Sequence, residues 1–272
     1  MPELPEVETA VRGIRPGLMG RTITDAWFDW PNGLATPDPT TFDARIKGQT
    51  VQSVTRRAKY IVIQLTDATL LIHLKMTGRV YVVPNEAEDY ADQWVHFRFQ
   101  LDNNHQLRFS DSRKFGRVYL VDDMEEITGK LGPEPLSDEF TLEVFKDAIS
   151  KRSGIIKPLL LNQEFVAGVG NIYADEALHL AHIRPRRTAD SLTEKETEDL
   201  WKAIRTVLHA GIEREGASVG WYRKPDGTKG SAQNGLLAYG RTGESCKTCG
   251  TGIIEKITVG QRGTHFCPNC QR

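Results

Sequence analysis

Cysteine is nearly missing from this chain, and its distribution excludes more than its number. Only four of 272 residues are Cys, all of them after position 245, so no disulfide framework can hold the long stretch before them. Long apolar runs are missing too: no segment approaches the roughly 18 uncharged residues that a membrane span needs. The start is acidic and lacks the basic-then-apolar order of a secretion signal. Neither charge sign is in excess, with 35 Lys+Arg against 36 Asp+Glu. Internal repeats are absent, and nothing advertises a second apolar surface. These absences lead us to expect a cytoplasmic monomer. What is present, 39% hydrophobic and 26% charged residues, suits globular domains, and the length suits more than one.

The charge balance is uneven along the chain. Residues 1–150 hold 17 Lys+Arg against 23 Asp+Glu, a balance of −6, whereas residues 151–272 hold 18 against 13, a balance of +5. Either this is scatter, or a polyanion docks on the second half or in a cleft between the two. Periodicity divides the chain similarly. Residues 5–15 read as a helix with Pro5 in its first turn and Val7, Val11 and Ile14 on one face, ended by Pro16 and Gly17. From about Arg21 to Val121 short strand-like runs such as "YIVIQL" and "WVHFRFQL" predict a mostly antiparallel sandwich or barrel. "LGPEPLSDEF" at 131–140 reads as a domain junction. Helical periods return over 141–150, 155–162, 172–181 and 194–216, and residues 217–235, with four glycines, read as a long flexible loop.

Three stretches carry chemistry. "CKTC" and "CPNC" place Cys246, Cys249, Cys267 and Cys270 as two CxxC knuckles with 17 residues between them, the spacing of a structural four-thiolate zinc site. Two disulfides are the competing reading, disfavoured because nothing suggests secretion. Between the knuckles "TVGQRGTHF" predicts a hairpin with Arg262 at its tip, where a guanidinium suits phosphate or is merely a solvated turn residue. "GVGN" places Gly168, Gly170 and Asn171 before a helix, an ordinary turn or an anion seat with Asn171 as N-cap; Lys157 and the "RPRR" run at 184–187 favour the anion. The opening "MPELPEVET" is helix-start composition, or else chemistry. Removal of Met1 would free the secondary amine of Pro2, which titrates near ~8 and is partly neutral at cellular pH.

With these pieces assembled, the chain closely resembles the bacterial formamidopyrimidine-DNA glycosylases, which excise oxidised purines such as 8-oxoguanine. The resemblance rests on "MPELPEVET", "RRAKY" (56–60), "HLKMTG" (73–78), "DSRKFG" (111–116), "LGPEP" (131–135), "VAGVGNIYADE" (166–176), "YGRTGESC" (239–246) and "RGTHFCPNCQ" (262–271). It implies an α+β chain: an N-terminal β-sandwich domain with an N-terminal helix (1–130), a helix–two-turn–helix domain (131–240) with a lesion-capping loop at 217–235, and a zinc finger (241–272) holding one structural zinc ion. It implies a glycosylase and abasic-site lyase acting on double-stranded DNA. Pro2 is then the nucleophile toward C1′, Glu3 the general acid–base, Glu6 a supporting proton or water positioner, and Lys59 a phosphate contact assisting base removal. Met76, Arg113 and Phe115 fill the gap left by the everted nucleotide, although without the family an isolated Met and Phe are more often core. His73, Lys157, Asn171 and Arg262 clamp phosphates, and Tyr239 shapes the same region.

One departure stands out. Gly220-Trp221-Tyr222 replaces the Arg-Asp-Tyr that many members carry in the capping loop, which puts base preference in doubt. Two competing readings remain at this point: removal of oxidised pyrimidines by an endonuclease VIII-type relative, whose start usually reads Pro-Glu-Gly-Pro-Glu where this chain has Leu4, and a zinc ribbon that only binds nucleic acid.

Overall fold

A computed structural model describes all 272 residues, which fall into two compact units. The first comprises Met1–Lys130 and Glu215–Ser231, the second Leu131–Arg214 and Ala232–Arg272. The segment expected to travel with the helical domain therefore packs, over most of its length, within the N-terminal unit.

The N-terminal unit opens on helix α1 (Leu4–Leu18). Glu3 is its N-cap, and the Glu6 carboxylate reaches back to accept the Glu3 N–H at 2.8 Å, which closes a capping box. Val7, Val11, Ile14 and Leu18 point into the core. The helix continues past its expected stop at Pro16 because a proline in the last turn forfeits only its own N–H; Met19 still donates to Arg15 O at 3.1 Å.

Nine strands follow: β1 (Ile23–Phe28), β2 (Leu34–Thr36), β3 (Val51–Arg57), β4 (Tyr60–Leu65), β5 (Thr69–His73), β6 (Gly78–Pro84), β7 (Val95–Leu101), β8 (His105–Asp111) and β9 (Arg117–Val121). They form a four-stranded sheet ordered β1-β7-β8-β6 and a five-stranded sheet ordered β2-β9-β5-β4-β3, antiparallel throughout except for β2 beside β9. Phe97, Phe99 and Phe109 of one sheet and Ile61, Ile63, Leu70 and Ile72 of the other share one core with α1. Helix α2 (Pro39–Ile46) interrupts the strand series that the sequence suggested. Asp38 caps it by accepting from Thr40 and Thr41 N–H, Pro39 starts it, and Phe42 and Ile46, one turn apart, are buried.

The second unit is helical: α3 (Glu125–Thr128) ends the first unit, and α4 (Leu142–Ser150), α5 (Ile156–Leu161), α6 (Asn171–Leu180) and α7 (Glu194–Glu213) follow. Thr193 and Glu196 form a capping box that starts α7. Strands β10 (Glu255–Val259) and β11 (Arg262–Phe266) form the hairpin between the cysteine pairs. No helix is long and apolar enough to cross a membrane.

Candidate functional site

Within the N-terminal unit, Pro2, Glu3 and Glu6 lie buried at the start of α1. Glu6 does more there than complement a helix start. One carboxylate oxygen holds the Glu3 N–H, and the other accepts the Ala217 N–H at 2.7 Å, while Tyr222 Oη donates to Glu6 O at 3.2 Å. The segment carrying residues 217–222 is thus tied to the residue that fixes the Glu3 backbone. Farther along, Arg79 donates to Lys224 O at 3.1 Å and Pro225 O at 2.8 Å while paired with Asp89. What reads as a flexible loop is pinned at both ends, leaving Trp221 64% exposed at its tip, its ring centroid 6.1 Å from that of Trp94 and the two rings near perpendicular.

Helix α1 packs on β3 and β4, whose connecting turn carries Lys59. Lys59 is buried, and its neighbour Ala58 has φ 51°. Tyr60 pairs with His73 across the sheet, their rings 4.7 Å apart. His73 Nδ1 accepts the Lys75 N–H at 3.0 Å, so the proton of the neutral ring sits on Nε2. Burial, then the Lys75 and Lys59 ammoniums, push its pKa down to about 3. His73 is an uncharged donor.

Met76, Arg113 and Phe115 come together as one exposed cluster: the Arg113 guanidinium lies 4.5 Å over the Phe115 ring and 3.3 Å from Met76 Sδ. Sequence reasoning missed what holds them. Asp111, fully buried, accepts Phe115 N–H at 2.8 Å, Gly116 N–H at 2.7 Å and Arg113 N–H at 3.3 Å, and takes the Thr77 hydroxyl. The signal was the DSRKFG motif itself, since an aspartate leading a turn binds amides a few residues on. Backbone strain gathers at the same turns. Of seven non-glycine residues with positive φ, Ala58, Lys75, Lys114 and Gln261 each adjoin an expected site residue.

In the second unit, Asn171 is not the N-cap of α6; Gly170 is, and Asn171 begins the helix. The Asn171 side chain instead donates from Nδ2 to Gly263 O in β11 at 3.0 Å. Lys157 differs most from expectation. It is fully buried, its Nζ 2.6 Å from Asp175 and 2.7 Å from Thr264 Oγ1, rather than presented at the surface as the expected phosphate contact would be. The arginines of 184–187 are engaged inside the unit: Arg184 donates to Gln271 O and Arg187 pairs with Glu196. Arg262 remains exposed, beside the tight turn Gly260–Gln261, whose φ values of 55° and 61° give a hairpin turn that matches the twist of the strands. Tyr239 stacks edge-on against His265 at 4.8 Å, and its N–H, with those of Leu237 and Ala238, is bound by the Glu176 carboxylate. Burial raises the Glu176 pKa, partly offset by those three amides.

The four cysteine sulfurs lie within 4.8 Å of one another, Cys246 to Cys270 at 3.6 Å and Cys249 to Cys267 at 3.9 Å. Four thiolates around zinc at about 2.3 Å are about 3.8 Å apart, so the cluster fits a tetrahedral zinc ion. Gly252 N–H donates to Cys249 Sγ at 3.2 Å, favouring the thiolate.

Comparison with known proteins extends this geometry. The sequence model of the formamidopyrimidine-DNA glycosylase N-terminal domain matches residues 1–118, that of its H2TH domain residues 131–222, and a zinc finger found in FPG and IleRS residues 243–272. Among similar proteins, formamidopyrimidine-DNA glycosylases of Herpetosiphon aurantiacus and Protochlamydia amoebophila are 48% and 44% identical, each over the full length of both chains. A Lactococcus lactis FPG mutant, solved in complex with a Fapy-dG containing DNA, superposes with a TM-score of 0.92 at 36% identity over 100% of both chains. Another structure, of Lactococcus lactis Fpg with an abasic site containing DNA, gives 0.91 at 36% identity over 99% of each. A sandwich, an H2TH domain and a four-cysteine zinc finger in this order define a DNA glycosylase of base-excision repair. The zinc ion is structural, held by Cys246, Cys249, Cys267 and Cys270. The chain belongs to the formamidopyrimidine-DNA glycosylase family.

Proposed function

We propose that the protein is bifunctional, excising 8-oxoguanine and formamidopyrimidines from duplex DNA and then nicking the strand at the abasic site. The observation that carries the reading is Pro2-Glu3 at the head of a buried, capping-box helix in a chain of this family. Support for the substrate class comes from relatives solved with a Fapy-dG containing DNA and, for a MutM, with carbocyclic 8-oxo-G containing DNA.

Once Met1 is removed, the lone pair of the Pro2 nitrogen forms a bond to C1′ as the damaged base leaves with the glycosidic electron pair and a proton. Glu3 protonates the ring oxygen, the sugar opens, and the nitrogen becomes an iminium, which carries no N–H to lose. That fixed positive charge acidifies the C2′ proton. Its removal expels the 3′ phosphate, and a second elimination expels the 5′ phosphate. Lys59, His73, Asn171 and Arg262 hold the flanking phosphates. Met76 and Phe115 fill the vacated stack and Arg113 faces the orphaned base, offsetting the few kcal/mol that base eversion costs. Lys157 supports this set from behind. The cytoplasm, where the DNA lies, is the site of action, and the protein works as a monomer.

Borohydride trapping on an 8-oxoguanine duplex tests this. Protein lacking Met1 should give a covalent adduct whose sugar maps to Pro2, and Pro2→Gly should lose most adduct and nicking. Full nicking by protein that retains Met1 would refute the nucleophile.

A further inference from the structure

We infer that the buried Lys157–Asp175 pair is the joint that aims Arg262, and that Lys157 acts on DNA only through it. This rests on the function proposed above. The Lys157 ammonium has three N–H groups, and Asp175 Oδ1 at 2.6 Å, Thr264 Oγ1 at 2.7 Å and Gly263 O at 3.2 Å all lie within reach. Both members of the ion pair have no exposure at all. The other Asp175 oxygen holds the His265 N–H at 2.8 Å and the His265 Nδ1 at 3.1 Å. Gly263 O also receives Asn171 Nδ2. Residues 263, 264 and 265 are therefore fixed one after another to α5 and α6, and Arg262 is the next residue out.

The opposite side of the hairpin tip is fixed by the neighbour of Lys157. A Cβ on Gly260 would stand 2.6 Å from Pro158 Cγ, so the turn sits directly on α5. Lys157 thus holds one strand and Pro158 the other, and the guanidinium between them inherits its direction from this pair of contacts. An ion pair sealed from water gives little net stability, but removing one partner leaves an uncompensated buried charge. That sensitivity suits a part whose task is orientation.

The test uses zinc-loaded full-length protein and a duplex carrying a stable abasic analogue, with binding measured over a range of salt concentrations. Lys157→Met should weaken binding roughly tenfold, because the stranded Asp175 charge disturbs β11. Adding Asp175→Asn, which neutralises the pair while keeping an acceptor for His265, should restore binding to within about threefold of wild type with the wild-type salt slope. In an Arg262→Gln background, Lys157→Met should cost almost nothing further. A direct phosphate contact by Lys157 predicts otherwise: the pair variant would remain as weak as Lys157→Met, its slope lower by about 0.9. That result overturns the joint, as does a Lys157→Met effect undiminished by Arg262→Gln, or none at all. Should Lys157→Met fail to fold, the slope of the pair variant decides alone. Wild-type protein that does not bind the duplex would instead overturn the functional reading.

Discussion

At the scale of single residues, the site depends on polar groups that are buried to position others. Asp111 is the plainest case. It gathers three amides of the 113–116 turn and the Thr77 hydroxyl, and so presents Arg113 and Phe115 beside Met76. Asp111→Ala would strand those amides, at a cost of about 1–3 kcal/mol. We expect a lower unfolding temperature together with a loss of lesion excision greater than that of Phe115→Ala, measured on the same duplex; equal losses would reduce Asp111 to a packing residue. His73 makes a second prediction through pH. Its imidazole takes a proton below about 6.5 in the unfolded chain but only near about 3 in the folded one. Its stabilising contribution is therefore complete above about 6.5 and is lost as pH falls toward 3, at up to about 1.4 kcal/mol per pH unit. Denaturant unfolding at pH 7 and pH 5 should show a smaller drop in His73→Gln than in wild type. Because the ring is uncharged, the same substitution should leave the salt slope of DNA binding unchanged.

At the scale of elements, the finger and the 215–231 segment carry separate risks. Holding zinc contributes on the order of 10 kcal/mol to the folding of such small units. Cys249→Ser or prolonged chelation should therefore release zinc, lose the β10–β11 hairpin with Arg262, and abolish tight lesion binding, read by metal analysis beside a binding titration. Trp221 stands exposed at the tip of the pinned segment, and aromatic–base stacking is worth about 1–3 kcal/mol. Trp221→Ala should shift the ratio of 8-oxoguanine to formamidopyrimidine excision by more than about threefold; an unchanged ratio removes Trp221 from base selection. Sequence period made α1, α4, α5, α6, α7 and the finger legible: α1, α4 and α7 carry side-chain caps and the finger its knuckles, while α5 and α6, which have no side-chain cap, show in their apolar period between glycine- or proline-bearing turns. It missed α2, whose Asp38-Pro39 start and Phe42–Ile46 pair were legible but lay inside a run of strands. Strand order across two sheets was not legible, since pairing is fixed by long-range packing. The joint of Lys157 with Asp175 was invisible for the same reason: 18 positions of sequence separate residues that meet at 2.6 Å.

At the scale of the whole molecule, the charge asymmetry of the two sequence halves does not survive folding. The N-terminal unit, with residues 215–231 included, holds 19 Lys+Arg against 20 Asp+Glu, and the second unit 16 against 16. Balances of −1 and 0 supply no broad field to draw in a polyanion. Many cations are also committed: Arg79 to Asp89, Arg108 to Asp92, Lys157 to Asp175 and Arg187 to Glu196. On the function proposed above, affinity for DNA comes from a few placed groups, and His73 and Asn171 among them bring no charge. Each neutralised phosphate contributes about 0.9 to the slope of log affinity against log salt. With Lys59 and Arg262 as the proposed charged phosphate contacts, and Arg113 as the proposed partner of the orphaned base, the expected slope is about −2 to −4. A fluorescence titration from low to physiological salt checks this. A slope steeper than about −6 would mean that a diffuse basic surface, rather than this short set of residues, holds the DNA.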